Sequence, residues 1–289
     1  MTQIIKDPDL LKKILGETKK KINFVPTMGD LHKGHISLVK KAKKKTQLTL
    51  VSIFVNPLQF NNKKDFKDYP RSIESDLNLL KRLCVDFVFI PSESFVENIS
   101  FSWKINELNK VLCGVDRPGH FEGVVSIVVR LMNLINPDFL FLGEKDFQQM
   151  LIVKKVIKEL FSKTKLILAP TVRDSNGLAL SSRNKLISKN KKISTKKIFE
   201  TLKVISRQIQ SRSGLKKTKI NFYKRKILKE GIQKVNYLEI LSEKNLSLIS
   251  KKFCKARIFI SVYIDEIRLI DNIPIKKEIR FVGKKYVSY

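Results

Sequence analysis

Cysteine is almost absent from this chain. Cys84, Cys113 and Cys254 are odd in number and far apart, which excludes a disulfide framework or paired metal-site spacing and fits a reducing compartment. No apolar run is long enough to span a bilayer. Between Met1 and Leu15 the charges of Lys6, Asp7, Asp9, Lys12 and Lys13 interrupt the apolar residues, so no signal-peptide core is expected. A soluble cytoplasmic protein without a membrane partner is. Acidic residues are scarce as well: 27 Asp and Glu face 58 Lys and Arg, a formal charge of +31. Such a field favours anionic partners but does not separate nucleic acid from lipid or a phosphorylated small molecule. Lys, Ile, Asn and Phe are abundant along the whole length, so drift toward A+T-rich codons on solvated faces accounts for the charge more simply than a binding tract.

What the chain does contain is a core. Hydrophobic residues make up 43% of 289 residues, with 18 Phe, too much for a disordered protein even at 29% charged. Apolar β-branched runs at Ile22–Val25, Leu48–Val55, Phe87–Ile90, Phe139–Leu142 and Lys165–Leu168 alternate with helical segments. Ile73, Leu77 and Leu80 share one helix face, and Val124, Val128, Leu131, Met132 and Ile135 another. This predicts an α/β protein: a Rossmann-like parallel-sheet domain over 1–173. After Pro170 a polar loop, Asp174–Asn184, leads into Lys-rich helices expected at Lys189–Ser211 and Lys219–Lys229. Runs at Val235–Leu241, Ala256–Ile264 and Ile267–Ile270 then predict a small antiparallel sheet. Residues 174–289 are thus expected to form a smaller α+β domain.

The first strand runs into Pro26-Thr27-Met28-Gly29-Asp30-Leu31-His32-Lys33-Gly34-His35, after which Ile36, Leu38, Val39 and Ala42 suggest a helix. Ligands collect at the carboxyl ends of parallel strands, where the next helix offers free N–H groups and the positive end of its dipole. Phosphate fits such a turn. Gly29 and Gly34 permit close backbone approach, and two of the three histidines stand here at helical spacing. Neither a Walker loop nor a G-x-G-x-x-G fingerprint occurs. A metal reading of the two histidines lacks a third ligand at supporting spacing.

His32-Lys33-Gly34-His35 has the form of the H-x-G-H signature of nucleotidyl-transfer enzymes related to class I aminoacyl-tRNA synthetases. Longer stretches carry a closer likeness. Pro26-Thr27-Met28-Gly29, Ser52-Ile53-Phe54-Val55-Asn56-Pro57-Leu58-Gln59-Phe60, Tyr69-Pro70-Arg71, Arg117-Pro118-Gly119-His120-Phe121 and Asn136-Pro137-Asp138 come first. Gly143-Glu144-Lys145-Asp146-Phe147-Gln148-Gln149, Pro170-Thr171-Val172-Arg173, Gly177-Leu178-Ala179-Leu180-Ser181-Ser182-Arg183-Asn184 and Arg268-Leu269-Ile270-Asp271-Asn272 follow. In this order they resemble the pantothenate synthetase (pantoate–β-alanine ligase) family, densely from Phe24 to Asn184 and more thinly beyond.

The resemblance implies ATP-dependent condensation of (R)-pantoate with β-alanine through a pantoyl adenylate, with AMP and pyrophosphate released. It implies that Met28, Gly29, Asp30, Leu31, His32, Lys33, Gly34 and His35 cradle ATP, with His35 the active-site acid and His32 assisting it. Gly143, Glu144, Lys145 and Asp146 would approach the nucleotide, Lys145 supplying a cation. Val172 would touch adenine. Leu180, Ser181, Ser182 and Arg183 would form a mobile second nucleotide signature, Arg183 gripping phosphate through its planar fork. Gln59 and Gln149, with Asn56, would hold pantoate, since an amide supplies both donor and acceptor; Phe54 and Phe60 would flank its methyl groups, and Arg117 and His120 would stand nearby. Mg2+ is expected to come with the triphosphate, without a protein cage, Asp76 and Asp146 being the candidate contacts. The family likeness also implies a homodimer and makes 174–289 a lid.

One departure stands out: the family usually has Leu-Glu-Gly where this chain has Leu112-Cys113-Gly114, so a carboxylate is missing. Two other classes compete. A simple nucleotidyltransferase acting on a phosphorylated acceptor would call for Lys or Arg in place of the neutral Gln59 and Gln149. An RNA-binding protein would call for interleaved aromatics in Lys189–Lys229, which has only Phe199, Phe222 and Tyr223; no nucleic-acid partner is expected.

Overall fold

Alternation decides the first layer. In the computed structural model, which describes residues 2–45, 47–97, 99–210, 219–249 and 255–276, six strands form one parallel sheet. They are β1 (Gln3–Ile5), β2 (Ile22–Thr27), β3 (Leu48–Ile53), β4 (Phe87–Phe89), β5 (Phe139–Gly143) and β6 (Lys165–Ala169), in the order β1-β4-β3-β2-β5-β6. Phe24, Leu50, Phe89 and Leu140 point to one face. Their neighbours Val25, Val51, Val88 and Phe141 point to the other. A strand buried on both faces reads as an apolar run, as these do.

Helices cover each face. On the first lie α1 (Pro8–Gly16), whose N-cap Asp7 accepts the Leu10 N–H at 2.7 Å, and a long buried helix described below. On the second lie α2 (Lys33–Lys43), through Leu38, Val39 and Ala42, and α3 (Ile73–Arg82), through Leu80. The long helix α4 (His120–Ile135) buries nearly its whole circumference, and α5 (Phe147–Glu159) follows β5. An all-round apolar helix belongs inside a protein.

Two expectations need correction. The short β1 is an addition: only Ile5 of its three residues is buried, so no apolar alternation announces it. Ile73, placed on a buried helix face, is 48% exposed because it opens α3 at the rim, while Leu80 carries the contact.

The chain divides into two compact units, Met1–Val172 and Arg173–Tyr289. In the second, β7 (Lys234–Ser242), β8 (Ala256–Ile264) and β9 (Ile267–Pro274) form an antiparallel sheet in sequence order. Asp265 and Glu266 both have positive φ, 49° and 62°, as a two-residue hairpin turn requires. Helices α6 (Lys192–Gln210) and α7 (Ile220–Lys229) supply Ile198, Leu202, Ile205 and Ile227 to a core with Ile258, Ile260 and Val262. The first Lys-rich helix begins later than Lys189 because a 3-10 turn, Lys189–Lys191, precedes it; Ser211 and Cys254 lie outside the described residues.

Leu50, fully buried in β3 between two packed faces, is expected to cost about 2–5 kcal/mol when replaced by Ala. A urea midpoint unchanged in Leu50→Ala would contradict the two-faced core.

Candidate active site

The sheet order reverses between β2 and β5: after β2 the chain builds β3 and β4 outward on one side, then returns to set β5 on the other. Helices leave in opposite directions there, so a crevice opens at the carboxyl ends of the two strands. The turn after β2 carries both histidines.

That turn is built on one carboxylate. Asp76, in the first turn of α3 and only 3% exposed, accepts the N–H groups of Asp30 and Leu31, each at 2.7 Å. Gly29 and Asp30 have φ of +79° and +48°. A Cβ at Gly29 would lie 3.0 Å from Ile53 Cγ2 and 3.1 Å from Asp76 Oδ2. Ser72 Oγ donates to Asp30 Oδ1 at 2.9 Å, and Thr27 Oγ1 accepts the Gly29 N–H at 3.2 Å while donating to Ser52 O. Asp76, expected as a metal contact, therefore serves to hold the main chain of the turn.

His32 caps α2. Its Nδ1 accepts the Gly34 N–H at 3.1 Å, and His35 Nδ1 accepts the His32 N–H at 3.4 Å, so the two rings cap reciprocally. They stack with centroids 4.1 Å apart. A ring nitrogen that accepts carries no proton, so each ring carries its proton on Nε2. Burial holds the His35 imidazolium well below its ordinary 6.5, and the His32 ring and the Lys145 ammonium add to the effect. The arrangement thus offers an Nε2–H donor on each ring, that of His35 uncharged, beside the Lys145 ammonium. Lys145 stands in the 3-10 turn Glu144–Asp146 that follows β5, next to β2 in the sheet.

A second cluster follows β3. Asn56 is 1% exposed; its Oδ1 accepts the Leu58 N–H at 3.3 Å, while its Nδ2 donates to Gly123 O at 3.0 Å and to Gln59 Oε1 at 3.2 Å. Gln59 Nε2 in turn donates to Met28 Sδ at 2.8 Å. The 3-10 turn Pro57–Gln59 lies so close to α4 that a Cβ on Gly123 would fall 2.2 Å from Leu58 O. Glycine is required there. Gln149 is half-buried in the first turn of α5, after β5.

Arg117 and His120, expected beside the substrate, are directed at protein. His120 Nδ1 donates to Gln59 O at 2.7 Å and Arg117 Nη2 to the same oxygen at 3.0 Å, while Arg117 Nη1 donates to His120 Nε2 at 3.0 Å. They hold the main chain of Gln59. Phe54 belongs to the core, edge-on to Phe95, and Phe60 packs edge-on to Phe66 and Tyr69.

Gln148 went unassigned in the sequence, yet it is buried and organises the loop before α4. Its Oε1 accepts the Cys113 N–H at 3.0 Å, and its Nε2 donates to Leu108 O at 2.6 Å and Val111 O at 2.9 Å. Cys113, whose N–H makes the first of these contacts, is itself buried. Asp146 is exposed at the end of its turn. Among the described residues no group of three His, Cys, Asp or Glu stands close enough to hold a metal. Val172 is half-buried at the end of the first unit. Leu180, Ser181, Ser182 and Arg183 belong to the second unit, where Ser181 Oγ accepts the Arg183 N–H at 3.3 Å and Ser182 is buried.

A strand-to-helix turn at the switch point of an open parallel sheet places this fold in the doubly wound α/β class, whose ligands bind at the carboxyl ends of the strands. The comparisons narrow it. The family model described as pantoate–β-alanine ligase matches residues 3–274, and the chain belongs to that family. It is 40% identical over 279 residues to pantothenate synthetase of Thermosipho africanus, covering 94% of this chain and all of that one. It is 42% identical over 265 residues to that of Buchnera aphidicola, covering 90% and 93%. Among solved structures, pantothenate synthetase of Thermus thermophilus superposes with a TM-score of 0.86 at 32% identity, covering 95% of this chain and 99% of the other. Pantoate–β-alanine ligase of Francisella tularensis, complexed with β-γ ATP and β-alanine, gives 0.78 at 35%, covering 96% and 99%.

The lowered His35 value fixes a pH dependence. The unfolded chain takes up this proton more readily than the folded one, so the group's contribution to stability is complete above the ordinary 6.5 and is lost as pH falls from there toward the lowered folded value. His35→Gln is expected to flatten the fall in urea midpoint across that window; an identical slope in both proteins would refute a suppressed imidazolium.

Proposed function

We infer that this chain condenses (R)-pantoate with β-alanine at the expense of ATP. Its family membership, over residues 3–274, is what carries the reaction, and the related Francisella tularensis structure was solved with β-γ ATP and β-alanine. Chemistry explains the need for ATP. A carboxylate resists attack by an amine because oxide is a very poor leaving group. In the first step a pantoate carboxylate oxygen attacks the α-phosphorus of ATP, and the bond to pyrophosphate breaks. In the second, the free amine of β-alanine attacks the carbonyl carbon of pantoyl adenylate; the C–O bond to AMP breaks and the amine loses a proton.

No covalent nucleophile is needed, so the work of the protein is alignment, charge neutralisation and exclusion of water. In our reading Met28–His35 cradles the triphosphate. His35 acts as a neutral donor through Nε2, aided by His32; a proton that stays put is an advantage where the growing charge lies on phosphate oxygens. Lys145 supplies the fixed positive charge, with Gly143 and Glu144 bordering it. Ser181, Ser182 and Arg183, preceded by Leu180, add donors to the phosphates, and Val172 contacts adenine. Gln59 and Gln149 hold the carboxylate and hydroxyls of pantoate, while Asn56, Arg117 and His120 set the position of Gln59. In this reading the first unit is the ATP- and pantoate-binding domain, and the second, which begins at Arg173 rather than at 174, is the lid.

Mg2+ would offset the triphosphate charge. A hard cation that arrives on phosphate needs one or two carboxylates from the protein rather than a cage, and exposed Asp146 meets that requirement. We further propose that the protein is a cytoplasmic homodimer; its few, widely spaced cysteines suit a reducing compartment, and among the described residues no helix is long and apolar enough to cross a membrane.

Incubated with ATP and pantoate but no β-alanine, the protein is expected to accumulate a pantoyl–AMP species detectable by mass spectrometry, with AMP released only when β-alanine is added. Pyrophosphate release at the same rate without pantoate would count against the reaction. His35→Ala is expected to lower turnover by more than about tenfold, and unaltered turnover would remove His35 from the mechanism.

A further inference from the structure

The loop that carries Ser181, Ser182 and Arg183 is fastened at its base by a buried ion pair. Arg173 donates through Nη1 to Asp271 Oδ2 at 2.5 Å and through Nη2 to Asp271 Oδ1 at 2.9 Å. The side chains are 16% and 1% exposed. Such a two-pronged contact fixes direction as well as distance. The guanidinium also lies 3.9 Å from the centre of the Phe199 ring on α6, and Nη1 donates to Gly177 O at 3.1 Å.

The same ring sets the turn above it. Gly177 has φ of +84°, and a Cβ there would sit 2.6 Å from Phe199 Cδ1. Inside the turn, Asp174 Oδ1 accepts the N–H groups of Asn176 and Leu178 at 2.9 and 3.0 Å. Arg173 and Ala179 form an antiparallel bridge, and Asn184 Nδ2 donates to Ala179 O at 3.1 Å. Asp271 is itself built into β9 opposite Ile260 of β8. The path of the loop from 173 to 184 is therefore set by the small sheet, with Arg173 as the tie.

A buried ion pair is weak ground for stability, since desolvation offsets much of its attraction and an apolar pair of similar volume serves as well. What an apolar pair lacks is orientation. We propose that Arg173 and Asp271 are positioning residues: they lock the second nucleotide-signature loop onto the sheet of its own unit, so that Ser181, Ser182 and Arg183 are presented to ATP in one arrangement. The proposal rests on the reading that these three residues contact ATP.

The test uses the full chain with Arg173→Lys, which keeps the charge and loses the fork, and Asp271→Asn. Hydrogen exchange of the unliganded protein is followed in peptides covering 174–184 and in peptides covering β8, alongside steady-state kinetics of pantoyl-adenylate formation. Exchange in 174–184 is expected to quicken about tenfold or more while β8 is unchanged, and KM for ATP to rise by a similar factor with KM for pantoate unmoved. Unchanged exchange in 174–184 overturns the tie. Faster exchange with an unaltered KM for ATP overturns the positioning role. Should Asp271→Asn fail to fold, Arg173→Lys decides alone, because its charge and most of its volume are retained. Failure of the unmodified chain to form pantoyl adenylate would overturn the functional reading and the positioning role with it. Normal adenylate formation with both variants indistinguishable from it would overturn the positioning role only.

Discussion

Two hydrogen bonds from main-chain N–H groups to one buried carboxylate support much of the candidate site. Asp76 receives Asp30 and Leu31 at 2.7 Å each, and those residues follow a glycine in left-handed conformation. Without an acceptor there, two buried N–H groups would be stranded at a cost of roughly 1–3 kcal/mol apiece, and the turn would have no reason to keep its course. His32 starts α2 from the end of that turn. The orientation of both imidazoles is thus inherited from a side chain far away in sequence.

Much of the fold was legible because its strands are apolar on both faces and its helices periodic. The alternation of strand and helix made the parallel sheet legible, while the order of its strands and the switch point beside β2 are visible only in the fold. Less legible were residues whose partners come from afar. Asp76 looks like an ordinary acid in the first turn of a helix, Gln148 like a neighbour of Gln149, and Arg117 with His120 like polar groups near a site. Only three-dimensional packing shows that Asp76 holds a turn, Gln148 a loop and the Arg–His pair a single carbonyl oxygen. Spacing along the chain identifies residue types suited to a ligand; it does not say which of them are already engaged by the protein.

The charge of the chain sharpens a related point. A molecule with a formal +31 has no shortage of cations to offer phosphate, yet the imidazole at the centre of its glycine-flanked turn is kept uncharged. Charge and donor are separated: Lys145 carries the first, while His35, held neutral, keeps its proton on Nε2. A neutral donor does not change its protonation over the range in which most proteins work, so the geometry stays constant while the surrounding potential varies with salt.

The relay from Asn56 through Gln59 to Met28 gives the terminal amide of Gln59 a fixed sense, its oxygen toward Asn56 and its nitrogen toward sulfur. Turning that amide over would set its nitrogen against the Asn56 Nδ2–H and its oxygen against the Met28 sulfur, and both ends of the relay would be lost. The direction of one amide is in this way settled by side chains that follow two different strands, before any ligand arrives.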